Sequence, residues 1–137
     1  MTAKEYLSRA RYLDERITSK IQQIASLNSL ATRCASTFSD MPRNTNRAGS
    51  KIEDCVIKII ELEDGIKKDI ERLVDLKGEI MSTIKAISNV EYQVLLEKRY
   101  LCFMTWEQIA VDMNYSIQHI HRMHSLALKE IVVPNES

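Results

Sequence analysis

Eleven apolar residues, Ile52, Val56, Ile59, Leu62, Ile66, Ile70, Leu73, Leu76, Ile80, Ile84 and Ile87, recur in ten steps over 35 residues, a mean spacing of 3.5. This is the heptad repeat of helices that wind about one another, not the 3.6 of a lone straight helix, so the segment demands a helical partner. Ser50 with Glu53 three residues later has the spacing of a capping box and predicts a helix over 51–87. Upstream, Leu7, Ala10, Leu13, Ile17, Ile21, Ile24, Leu27, Ala31, Cys34 and Phe38 fall three or four apart and predict a helix over about 3–38. The stretch 39–50 holds the first Pro and the first Gly, lacks apolar periodicity and reads as a loop. The expected arrangement is a long antiparallel, coiled-coil-like hairpin. Two helices alone cover little apolar surface, so a homo-oligomer is expected. Gly65 and Gly78 each cost about 1 kcal/mol relative to Ala inside the second helix; close approach or a tolerated exposed position explains either equally well.

With only 3 Gly and 2 Pro among 137 residues, the chain has little with which to punctuate hairpins or a sheet, and the fold class expected is all-α. The last third carries its own punctuation. Ser88-Asn89 supplies a cap for a short helix from Val90, with Val90, Val94, Leu95 and Leu101 as its apolar face. Thr105 with Gln108 makes a second capping box, followed by Ile109, Ala110 and Met113 facing inward. Asn114-Tyr115 suits a tight turn because Asn tolerates left-handed backbone angles, and Ser116 caps a final helix over 117–131. Helix, short turn and helix, with small Ala110 where the two must approach, is the order of a helix-turn-helix. The expected domains are therefore 1–88, a helical hairpin for oligomerisation, and 89–133, the helix-turn-helix.

These residues carry a resemblance. Leu96-Glu97-Lys98-Arg99-Tyr100, Thr105-Trp106-Glu107-Gln108-Ile109-Ala110, Tyr115-Ser116 and 122–128 look like the region 4 helix-turn-helix of bacterial sigma factors. The whole chain resembles short prophage-encoded proteins of unknown function that pair a helical N-terminal half with that module, similar to phage late-operon regulators. The resemblance implies a sequence-specific, DNA-binding transcriptional regulator whose last helix enters the major groove of double-stranded DNA, with RNA polymerase as a further partner. It assigns base or groove contact to Ser116, Ile117, Gln118, His119, His121 and Arg122. Gln118 suits an adenine edge and Arg122 a guanine edge or a phosphate. Thr105 and Ser116, at helix N-termini, are the expected phosphate contacts.

Charge complicates that expectation. The formal net charge is zero, and residues 89–137 hold four basic against six acidic side chains. Phosphate neutralisation dominates duplex affinity, so one such module binds weakly by itself. Residues 1–51 hold nine basic against four acidic side chains, and Arg43, Arg47 and Lys51 lie in an acid-free stretch. These three are candidate phosphate contacts; a solvated face is the plainer reading.

Other chemistry is thinly supported. His119, His121 and His124 lack a carboxylate or cysteine at ligand spacing, so no metal or cofactor is expected; their protonation below about pH 6.5 is expected to add charge to the last helix. Trp106, Tyr92, Tyr100 and Tyr115 are expected to pack. There is no phosphate-cradling glycine loop, nucleophile elbow or HExxH pattern, and Cys102 with His119 or His121 is the one dyad that spacing leaves open, so no catalytic residues are assigned and no enzyme is expected. Three scattered cysteines without a CxxC pair, and no signal-length or membrane-length apolar run, lead to an expectation of a cytoplasmic protein without a membrane partner. The alternatives are a phage DNA-packaging subunit of the small-terminase kind, which stoichiometry separates from a regulator, and a helical protein-protein adaptor, which the acidic balance favours.

Overall fold

The computed structural model describes the backbone at residues 1–40 and 45–134 and the side chains at 1–35 and 49–134. Among these residues the chain is all-helical, with five helices and no strand: α1 Ala3–Asp40, α2 Thr45–Lys85, α3 Val90–Tyr100, α4 Trp106–Met113 and α5 Ile117–Glu130. No described helix is long and apolar enough to cross a membrane. Residues 45–50 are helical where a loop was expected, and Ser50 lies inside α2 instead of capping it. Of residues 45–50, Gly49 disfavours a helix interior most, by about 1 kcal/mol, a cost that a 41-residue helix absorbs. The rest of the expected break, at 41–44, lies outside the described residues.

The chain divides into two compact units, one of Met1–Asp14 with Arg72–Ser137 and the other of Glu15–Glu71. Compactness therefore does not follow the order of the sequence at 88/89. The cause is burial: Tyr6, Leu7 and Ala10 of α1, and Ile80 and Ile84 of α2 with Ile87 just beyond it, share one apolar cluster with Leu96, Tyr100, Ala127 and Ile131. In this unit Arg9 meets Glu79 at 3.6 Å and the Tyr6 and Thr83 hydroxyls lie 3.2 Å apart. Thr83 donates to the Glu79 carbonyl at 3.0 Å, so Tyr6 is the donor to Thr83 and both buried hydroxyls are satisfied. A second cluster, of Leu95, Ile109, Ala110, Ile120 and Met123, joins α3, α4 and α5.

In the other unit α2 turns Ile52, Cys55, Ile59, Leu62, Ile66 and Asp69 inward, a strict alternation of three and four. Val56 and Ile70, placed on the inward stripe by the sequence pattern, are each 46% exposed. Their places are taken by Cys55 and by Asp69, whose carboxylate accepts from the Lys20 ammonium at 2.6 Å. A Cβ built on Gly65 stands 3.1 Å from that ammonium, whereas one on Gly78 meets nothing within 4 Å. Gly65 thus leaves room for the lysine, and Gly78 is a tolerated open position.

Candidate nucleic-acid interface

The segment from Asn89 onward is organised by its caps. Asn89 accepts from the Tyr92 amide at 3.2 Å and opens α3. Its inward face is Leu95, Leu96 and Tyr100; Val90, expected inward, is exposed because it sits on the first turn before α3 meets its neighbours. Thr105 opens α4 with both halves of the capping box formed, its hydroxyl accepting from the Gln108 amide at 3.2 Å and its amide donating to the Gln108 side chain at 2.9 Å. Ile109 and Ala110 are buried, as the spacing predicts.

Three residues join α4 to α5. Asn114 adopts φ 60°, ψ 40°, the Tyr115 amide donates to the Ala110 carbonyl at 3.1 Å, and the Asn114 amide to that of Val111 at 3.3 Å. These two bonds form a Schellman closure, with Asn in the left-handed position that glycine usually holds. Ser116 then accepts from the His119 amide at 3.2 Å and starts α5. Tyr115 packs at a tilt against His119 with centroids 4.4 Å apart and donates to the Glu91 carboxylate, which holds the phenol above its ordinary pKa.

α5 has two faces. Ile120, Met123, His124 and Ala127 are buried, while Ser116, Ile117, Gln118, His121 and Arg122 are exposed and His119 is half-buried against Tyr115. Thr105 is exposed at the start of α4, and its cap leaves the hydroxyl proton free to donate outward. Lys51 is exposed on α2 in the other unit; Arg43 and the side chain of Arg47 lie outside the described residues.

Behind the exposed face, Trp106 packs as expected. The Arg99 guanidinium lies 4.4 Å from its ring centroid, and the rings of His121 and His124 at 4.9 and 4.6 Å. Arg99 also donates to the Met104 carbonyl at 3.0 Å, tying down a turn in which Phe103 takes φ 57°. The sequence reading missed this role of Arg99, for which the only signal was an arginine seven residues before a tryptophan. It also miscast His124. That ring is 7% exposed and shares a 2.6 Å hydrogen bond with the Tyr100 hydroxyl. Burial, then the positive charges of Lys4, Arg99 and His121, push His124 down to about 4, so it adds no charge to the outer face near pH 6.5. Among the described residues no three His, Cys, Asp or Glu side chains gather as metal ligands.

The cations of this segment are unevenly available. Lys98 is paired with Asp112 at 3.2 Å and Arg99 is turned onto Trp106, while Arg122 and Lys129 stand exposed on α5. The acids Glu107 and Asp112 line a surface hollow along α4 with Met104, Gln108 and Val111.

A protein with five helices among its described residues, the last two capped and joined by a tight turn, is the class these observations define. The chain belongs to the family described as protein of unknown function (DUF1492), which matches residues 39–132. No curated protein and no solved structure matches it.

Proposed function

We propose that residues 89–133 act as a helix-turn-helix of the sigma region 4 kind in a sequence-specific transcriptional regulator, with α5 lying in the major groove of duplex DNA. In this reading α1 and α2 close as an antiparallel hairpin through which the chain self-associates. The observation that carries it is the division of α5. Its inner face is locked by Ile120, Met123 and Ala127, while the first two turns present Gln118, His121 and Arg122 to solvent beyond a three-residue turn. Gln118 offers a paired donor and acceptor to adenine, and Arg122 a two-pronged donor to guanine. Ser116 and Thr105 offer hydroxyls and helix N-termini to phosphates.

Two exposed cations on α5 are few for a duplex contact, so the working unit holds at least two modules, whose linked binding multiplies a weak single affinity. Binding to duplex fragments from around the gene, measured by fluorescence anisotropy across a salt series, tests this. A discrete fragment bound with affinity that falls steeply as salt rises is the expected outcome. The exposed apolar residues Val111, Ile117 and Leu126 on the same module favour a second reading, an adaptor that binds protein, and salt-independent failure to bind any fragment puts that reading first.

A further inference from the structure

α2 carries two apolar seams. The inner one, from Ile52 to Asp69 in the Glu15–Glu71 unit, is covered; the outer one is displaced by one residue and faces solvent. Its members Val56, Ile60, Glu63, Lys67 and Ile70 are separated by 4, 3, 4 and 3 residues, and all are exposed, Ile60 by 58%. A four-three repeat on a solvent-facing helix surface, apolar at Val56, Ile60 and Ile70 and oppositely charged at its two central positions, is the pattern of a helix that packs on another helix.

The order of these residues says which helix. Reading outward from the level of Gly65, the seam is charged and then apolar in both directions, Glu63 and Ile60 on one side and Lys67 and Ile70 on the other, with acid facing one way and base the other. We infer that this face is where two copies of the chain meet, α2 against α2 in antiparallel sense about a two-fold axis at the level of Gly65. That register sets Glu63 opposite Lys67 twice and Ile60 opposite Ile70 twice. Each layer then joins an a position to a d position, as antiparallel coiled coils require, and an isologous two-fold contact closes. Other registers fail on the same residues. A slide of one heptad sets Ile60 on Glu63 or Ile70 on Lys67, and a parallel pairing sets Glu63 on Glu63 and Lys67 on Lys67. Asp64, beside the axis, is neutralised by Lys68 on its own helix at 3.4 Å.

This surface gives form to the self-association in the proposed function, yet it is tested without DNA. Sedimentation of the full chain at tens of micromolar is expected to show a dimer. Glu63→Lys and Lys67→Glu each create two like-charge contacts and are expected to weaken it roughly 10- to 100-fold. The double exchange Glu63→Lys with Lys67→Glu restores both pairs and the dimer, which a change that merely damaged the fold cannot do; circular dichroism confirms helix content in each variant. An equimolar mixture of the two single variants also pairs. A wild-type monomer, a dimer indifferent to both single reversals, or a double exchange as weak as the singles overturns the assignment, whatever the DNA measurement shows.

Discussion

The Tyr100 hydroxyl and Nε2 of His124 lie 2.6 Å apart in the core between α3 and α5, where burial pushes the phenol up to about 12 and the imidazole down to about 4. An unfolded chain holds this histidine near 6.5. Between about 6.5 and 4 the unfolded state binds a proton that the folded state refuses, so stability is complete above that window and falls as pH drops through it. With solvent reaching the ring edge, the loss expected by pH 4 is about 2 kcal/mol. Urea unfolding at stepped pH checks this, with His124→Gln as the comparison because the carboxylates titrate alike in both. The expected outcome is a wild-type slope between pH 6.5 and 4 that the variant flattens; parallel curves contradict it.

Asn114 holds the α4–α5 turn at a left-handed backbone angle. Glycine adopts that angle without penalty, and a β-branched residue meets it with a clash of about 1–2 kcal/mol. Asn114→Gly is expected to leave stability equal or slightly higher, and Asn114→Val to lower the melting temperature by several degrees. An Asn114→Val protein as stable as the wild type removes the turn's role in holding α5 against α4.

The caps of the last three helices were legible because they are local, although Ser50 with Glu53, equally local, lies inside α2 and does not start it. Asn89, Thr105 with Gln108, Ser116 and left-handed Asn114 each act within three residues of themselves, and the helices begin and end where they point. Which face of a helix is buried is a tertiary matter, and there the reading blurred. Val56 and Ile70 were joined to the inner stripe because one helix with two apolar seams, one residue apart, averages to a single broad pattern. Asp69 escaped notice because a charged residue at a seam makes sense only with Lys20, 49 residues away. Tyr100 is buried as expected, whereas His124 looks polar in sequence and is buried with its ring hydrogen-bonded to the Tyr100 hydroxyl. Ser116, Ile117, Gln118, His121 and Arg122 are exposed on α5 and His119 is half-buried, while the engagement of Arg99 and Lys98 was not legible.

On the proposed interface, Gln118→Ala and Arg122→Ala are each expected to cost about 1–3 kcal/mol on a specific site and to relax base preference at one position. Lys129→Ala, two turns further along α5, is expected to weaken all sequences alike and to reduce the salt slope by about one. Anisotropy titrations against the bound fragment and its single-base variants separate these effects. Equal loss on every sequence for Gln118→Ala rules out its base contact.

The Lys20–Asp69 pair sits in a seam of apolar side chains, with the carboxylate 8% exposed. Removing one partner strands a charge there, so Asp69→Ala is expected to cost roughly 2–4 kcal/mol, whereas Lys20→Met with Asp69→Leu is expected to stay within about 1 kcal/mol of the wild type or exceed it. Denaturant midpoints check the stability arm. If Asp69→Ala costs no more than the double exchange, the pair is solvated and carries no desolvation.

The same pair fixes a register that reaches the far end of the unit. In the proposed antiparallel hairpin, with Lys20 level with Asp69, two heptads along each helix bring Cys34 level with Cys55, and both thiols are half-buried. Cys102, exposed in the other unit, has no such counterpart. A short bismaleimide is therefore expected to bridge Cys34 and Cys55 within one chain, found as a single cross-linked peptide pair after digestion and abolished by Cys55→Ser. A bridge between chains that mass spectrometry assigns to Cys34 and Cys55 means that the two helices are exchanged between copies. Failure of Cys34 and Cys55 to be bridged at all, while each is singly modified, instead breaks the register, and with it the proposed hairpin.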